Sequence, residues 1–378
     1  MRRLLLAAAV TVVLGFLSGP ARAAAPNVPT PDARAYEIVN AATGEVLAAH
    51  DAHERLPIAS LTKLMTVIVA LPHLQLDQIV TVTNRTANVG GSRIPLRAGQ
   101  KISVDDLLKG ALIQSANDAA DTLADAAAGG NLPLFISWMN ERAQQLGLSD
   151  THFVRADGLD APGHVSSAHD IMVLAQIAMH SPVVRSIVRE RSDTIEGGHV
   201  AVHTWNDLLG VFPGLIGVKT GHTDKAGWCE VAAARRQGYT IYAVILGSPG
   251  RAQRNADLRR LLSWGVSRYR TLTLVQPRAY AHADLGYGRP ALALVATKPL
   301  VHVVPADSRV VERIVAPSAV RLPVAKGQLL GTIEVRVGGQ LLGVRPLVAA
   351  RSVKRPGLGG RLRWYATRTV HDFVGLFR

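Results

Sequence analysis

Strand-patterned segments stand on both sides of a long helical block, so any sheet they form must close across it. Tyr36, Ile38, Val46 and Leu47 flank residues 40–44, where Thr43-Gly44 marks a hairpin turn. Residues 77–83 read as a short strand. Residues 70–205 are otherwise mainly helical in pattern. Ser103-Val-Asp-Asp106 has a serine cap and acids in the first turn, an alanine-rich helix follows Asn117, and further helices are expected over 132–146 and from Ser167. Strand character returns over 215–223, then as a hairpin of 228–234 with 239–246. Over 255–268, Leu258, Leu261, Leu262 and Val266 recur at helical spacing. Two strands before the block and three after it predict a split sheet with an inserted helical lobe. A cleft opens where two such parts meet.

The texture changes near residue 272. From there to 350, short Val/Leu runs alternate with Pro and Gly, which predicts a small all-β domain without chemistry of its own. The last stretch, 351–378, ends in a basic amphipathic helix: Leu362, Tyr365, Ala366, Val370, Phe373, Val374 and Phe377 share one face. Such a helix fits an anionic membrane surface, or else docks on its own protein. At the other end, Arg2 and Arg3 precede the apolar run 4–17 and Ala21-Arg-Ala23, the pattern of a secretory signal peptide cleaved after Ala23. The expected organisation is therefore a leader over 1–23, a main domain over 24–271, the all-β domain over 272–350 and a tail over 351–378. Cys229 is the only cysteine, so an exported chain is expected to gain its stability from packing alone. Its net charge of +14 comes mostly from arginine, and no nucleic-acid-binding signature accompanies it, so a nucleic-acid partner is not expected.

Only eight lysines occur, and two stand in motifs that can carry chemistry. Ser60-Leu-Thr-Lys63 opens an apolar run, with Leu64, Met65, Val67, Ile68 and Val69 following. At this spacing a hydroxyl and an amine share one helix face, and the helix N-terminus adds partial positive charge. Serine becomes a nucleophile there if the lysine is held neutral by burial or by a second cation. Ser115-Ala-Asn117 follows as a polar turn between helices, and Lys219-Thr-Gly221 at the end of a strand. The order and context match the signature of serine penicilloyl-enzymes.

With these motifs, the chain resembles the low-molecular-mass penicillin-binding proteins, serine-type D-alanyl-D-alanine carboxypeptidases. The resemblance runs from about residue 35 to 350 and includes Thr204-Trp-Asn-Asp-Leu208 and Gly217 to Gly227. It implies an α/β (α+β) fold: a β-lactamase/transpeptidase-like domain with an antiparallel sheet and inserted helical subdomain, then the all-β domain and the tail helix. It implies roles as well. Ser60 attacks the penultimate D-alanine carbonyl, Lys63 takes its proton under the influence of Lys219, Ser115 relays a proton, and Asn117 holds the substrate amide. Backbone N–H groups of Ser60 and His222 form the oxyanion hole, while Thr220 and Arg254 receive the terminal carboxylate. A side chain at Gly221 would obstruct substrate along the strand edge. The expected partners are peptidoglycan stem peptides ending in D-Ala-D-Ala and β-lactams as covalent inhibitors. Neither cofactor nor metal is implied; His50 and His53 stand three residues apart, but no set of acidic or cysteine partners that would complete a metal site is read with them.

Three other readings compete. A β-lactamase needs a glutamate set to activate the deacylating water, and Glu141, Glu190 and Glu196 lack that setting. A DD-endopeptidase shares the chemistry and differs only in its leaving group. A non-catalytic wall-binding protein would have no need of Ser60, Lys63, Ser115, Asn117 and Lys219 together.

Overall fold

Asn40 turns the first hairpin with its own polar groups: its side-chain oxygen accepts from the Ala42 N–H at 2.9 Å and its carbonyl accepts from the Gly44 N–H at 2.9 Å. This joins β1 (Ala35–Asn40) to β2 (Val46–His50). In the computed structural model, residues 10–16 and 197 are described by backbone alone, and the rest of 27–360, with 362 and 364, in full.

After the helical block come β3 (Leu215–Thr223), β4 (Gly227–Arg236) and β5 (Tyr239–Ser248). A two-residue turn with φ of +50° at Gln237 and +91° at Gly238 links β4 to β5, matching the twist of the strands it joins. The sheet runs β2-β1-β5-β4-β3, antiparallel throughout, so strands from both sides of the block do pair and β3 is an edge.

The helical block supplies α1 (Lys63–Ala70), α2 (Val104–Leu112), α3 (Asn117–Ala127), α4 (Leu132–Gln145) and α5 (Ala168–Ala178). Ser103 caps α2 and Ser167 caps α5, each accepting an N–H from an aspartate three residues on. Cys229, Val231 and Ala233 on one face of β4 join the core built by these helices. The alternate residues Glu230, Ala232 and Ala234 turn to the opposite face, which α6 (Arg251–Ser267) covers. Burial on both faces is why β4 reads as a nearly unbroken apolar run.

The block is less helical than its pattern suggests. Ser192–Ile195 pairs with Val200–His203, and the strand expected at 77–83 is present as Ile79–Thr81, paired with the unexpected Lys101–Ser103. The first pair contains Thr194, Ile195, Val200 and Val202, β-branched residues around Gly197-Gly198, a turn signal that the neighbouring helical periodicity conceals.

Ala25–Arg268 forms one compact unit, and the region from Tyr269 forms another together with Val10–Phe16. The second has seven strands of its own, from Tyr269–Val275 to Gln340–Ala349, and no helix before residue 358 among the described residues. Its core is Leu292, Leu294, Ile333, Val335 and Leu347, each fully buried. Val10–Phe16, inside the expected leader, lies antiparallel to Val310–Pro317 as the outermost strand. An extended, β-branched apolar run satisfies a free sheet edge in this way. Residues 358–360, 362 and 364 are helical; the rest of the expected amphipathic helix, and residues 1–9 and 17–26, which hold most of the expected leader, lie outside the described residues. Among the described residues no helix is long and apolar enough to cross a membrane.

Candidate active site

Ser60 sits on a single 3-10 turn, Ala59–Thr62, and Lys63 begins α1. The expected helix start is thus one turn tighter than an α-helix. Ala59 adopts a φ of +49°, a left-handed conformation that a residue with a Cβ occupies only when its surroundings impose it. Those surroundings form a chain. The Val154 N–H donates to His164 Nδ1 at 3.0 Å, His164 Nε2–H donates to Thr62 Oγ1 at 2.8 Å, and Thr62 donates to the Ala59 carbonyl at 2.8 Å. One end can only donate and the other only accept, so the imidazole is the neutral Nε2–H tautomer. Gly158 closes the turn from the far side. It has a φ of +86°, and a Cβ there would stand 2.2 Å from the Ala59 oxygen.

Burial lowers the His164 pKa to about 4. The unfolded chain takes up this proton near pH 6.5 and the folded chain does not, so stability falls as pH drops from 6.5 toward 4. We expect about 2 kcal/mol of acid sensitivity from this one group between pH 6.5 and 4.5, to be seen as the difference between wild type and His164→Gln in urea unfolding at those two pH values. Equal losses in both proteins would contradict the assignment.

Lys63 is fully buried, and its amine has three contacts: Ser60 Oγ at 2.8 Å, Asn117 Oδ1 at 2.6 Å and the Asp157 carbonyl at 2.6 Å. Two of these oxygens can only accept. A neutral amine therefore spends both N–H groups on them and turns its lone pair to the Ser60 hydroxyl, which donates. Burial lowers the Lys63 pKa to about 8; Asp157, Asp121 and Asp118 oppose the shift and Arg155 assists it. Burial is the leading cause and Arg155 adds to it; Lys219, the expected neighbouring cation, is itself shifted down by Lys63, so the two amines disfavour each other's charge.

Ser115, at a φ of +62°, lies in the turn between α2 and α3, and Asn117 is the first residue of α3. The Asn117 amide donates to the Gly90 carbonyl at 2.7 Å, which orients its oxygen toward Lys63. Lys219, buried on β3, donates to Ser115 Oγ at 2.7 Å and to the Thr220 carbonyl at 2.9 Å. Its pKa lies well below the ordinary lysine value, through burial first and then the nearby Lys63. Ser60 and Ser115 thus each have an amine partner.

Thr220, Gly221 and His222 run along the edge strand. The Thr220 carbonyl points away from β4 to reach Lys219 Nζ, so by strand alternation the His222 N–H also faces the cleft. Gly221 has a further reason beside the expected one. A Cβ there would lie 3.0 Å from the Ser60 nitrogen and 3.0 Å from Ala59 Cβ, pressing on the nucleophile's own turn. The His222 ring packs on Trp228 with centroids 4.1 Å apart. Arg254, in the first turn of α6, is only 1% exposed despite its arginine-rich surroundings. Its guanidinium lies under the Trp228 ring at 5.7 Å and lines the same cleft as Ser60, Ser115, Asn117, Thr220 and His222, a space of about 320 Å³.

Residues 22–250 match the D-alanyl-D-alanine carboxypeptidases of peptidase family S11. The chain belongs to that family. It is accordingly a serine hydrolase, and residues 271–355 match the C-terminal domain of penicillin-binding protein 5. The chain is 33% identical to the D-alanyl-D-alanine carboxypeptidase DacC of Escherichia coli K12, over 95% of this chain and 94% of that one. Penicillin-binding protein 5 from Haemophilus influenzae superposes with a TM-score of 0.64 at 26% identity, over 87% of this chain and all of the other. The Streptomyces K15 DD-transpeptidase superposes with a TM-score of 0.60 at 31% identity, over 64% of this chain and all of the other.

Several participants carry little or no signal of their role in the sequence. The Asp157 carbonyl acts through backbone, 94 residues from Lys63. His164 is one of thirteen histidines with nothing to single it out. Trp205, whose indole donates to the Gln114 carbonyl at 2.9 Å while its ring lines the cleft, falls in the Thr204-Trp-Asn-Asp stretch singled out without a role.

Proposed function

We propose that this S11 peptidase removes the terminal D-alanine from peptidoglycan pentapeptides through an acyl-enzyme on Ser60. The observation that carries this reading is the set of three contacts around Lys63 Nζ, which leaves one lone pair aimed at one hydroxyl. Ser60 Oγ adds to the penultimate D-alanine carbonyl as its proton passes to Lys63. The resulting oxyanion lies between the N–H groups of Ser60 and His222. Collapse breaks the peptide bond, and the leaving amine takes a proton delivered through Ser115, which Lys219 holds in place. Asn117 fixes the substrate amide, and Thr220 and Arg254 take the terminal carboxylate. Water then attacks the ester with Lys63 again accepting the proton. A β-lactam carbonyl enters by the same route and leaves a covalent penicilloyl-serine.

The likeness to a solved DD-transpeptidase supports a second reading in which an amine replaces water as acyl acceptor. Incubation with a pentapeptide ending in D-Ala-D-Ala, and separately with a cross-linked dimer, separates the outcomes. Release of free D-alanine without a new cross-link is expected; a joined product, or cleavage of the dimer alone, would contradict carboxypeptidase activity.

The leader-like N-terminus and basic tail support export and residence at the outer face of a membrane. Deletion of residues 361–378 should move the protein from the membrane to the soluble fraction, with D-alanine release unchanged. Continued sedimentation with membranes would contradict a tail anchor.

A further inference from the structure

A buried carboxylate that the reaction scheme does not use stands beside Arg254. Glu230 is fully buried on β4, directly across from Thr220 in the strand register. Its Oε2 lies 3.0 Å from Arg254 Nε. Among the described residues neither oxygen makes a hydrogen bond of good geometry, so the contact with Arg254 is ionic. Asp207, the next carboxylate, is 3.6 Å from Arg254 and already engaged by Arg251 at 2.5 and 2.7 Å and by Asn255 at 2.7 Å. Glu230 is therefore the near counter-ion of the arginine that lines the cleft.

A substrate carboxylate arriving at Thr220 and Arg254 places a second anion on the same buried guanidinium. Two carboxylates cannot both stay ionised around one desolvated cation without a large cost, and the one that can be neutralised takes a proton. We propose that Glu230 is a specificity-determining counter-ion: it competes with the substrate's terminal carboxylate for Arg254 and takes up a proton when that carboxylate binds. This deepens the reading above and rests on its assignment of Arg254. Glu230 suits the task because burial pushes its pKa up to about 7. The charged groups facing it are Arg254 and Arg251 on α6 and Lys219 on β3, which favour its ionised form, and Asp207, which opposes it. On β5 the opposing residue is the apolar Ile245.

The sign follows by linkage. If binding takes up a proton, affinity for a carboxylate ligand falls as pH rises above the Glu230 titration, by up to about tenfold per pH unit. The test uses the full chain carrying Ser60→Ala, so that ligand is bound and not consumed. An N-acylated L-Lys-D-Ala-D-Ala and its C-terminal amide are titrated by NMR at pH 7.0 and 8.5. The carboxylate peptide should bind about tenfold more weakly at pH 8.5, while the amide shows no such trend. Adding Glu230→Gln should flatten the carboxylate profile and tighten binding at pH 8.5 by about the same factor. A carboxylate profile as flat as the amide's overturns the proposal without recourse to any Glu230 variant. A slope that persists in Glu230→Gln overturns it as well. Arg254→Leu separates the two levels: carboxylate binding unaffected by that change would remove the Arg254 assignment and this proposal together. Weakened binding in Arg254→Leu with an unaltered slope in Glu230→Gln would remove this proposal alone.

Discussion

Ser60→Ala should abolish both D-alanine release and covalent labelling by a fluorescent penicillin, with a fall in turnover on the order of a millionfold, as for other serine nucleophiles. The hydroxyl makes one contact, to Lys63 Nζ at 2.8 Å, and the turn that presents it is held instead by Thr62, His164 and Gly158. Its removal therefore costs chemistry and leaves the fold intact. Thermal unfolding measured beside the labelling assay checks this. An unlabelled protein with an unchanged melting temperature is expected, and residual labelling at another serine would place the nucleophile elsewhere.

Loss of the Lys63 amine comes next in size. Lys63→Met keeps most of the buried volume and removes the only base in contact with Ser60 among the described residues, so acylation should slow by about a thousandfold or more. The same variant leaves Asn117 Oδ1 and the Asp157 carbonyl without their donor, which costs roughly 1–3 kcal/mol each if both stay dry. Stopped-flow acylation by a chromogenic β-lactam separates this loss of rate from the loss of stability. In the wild type the amine works only when neutral. The acylation rate constant should therefore rise with pH through the Lys63 pKa of about 8 and fall about tenfold per unit below it. A rate independent of pH from 6 to 9 would contradict this role.

What the sequence disclosed and what it hid divide along a physical line. Ser60 and Lys63 are legible because helical geometry brings residues three apart onto one face, and the split sheet is legible because strand pairing demands apolar runs of a recognisable kind. Contacts made by backbone atoms or by isolated charges leave no such trace. Arg254 stands in a run of arginines that predicts solvent exposure, yet its partner Glu230 lies 24 positions earlier in sequence on a strand that packs beneath it. The single buried acid in the run 229–234 was the available signal, since a lone glutamate in a central strand requires a partner. Gly221 was read for the space it leaves to substrate, and only coordinates reveal that Ser60's backbone also occupies the adjacent space. The hairpin at 192–203 was absorbed into the helical block because its strands are four residues each, too short for alternation to outweigh the surrounding pattern.

The charge state of one amine decides most of this. With eight lysines in the chain, a sample labelled with carbon-13 at lysine Cε gives few enough signals to titrate individually. One signal, absent in Lys63→Met, should titrate near pH 8. A Lys63 signal that titrates near the ordinary value of 10.5 while the protein still acylates Ser60 at neutral pH would contradict that expectation.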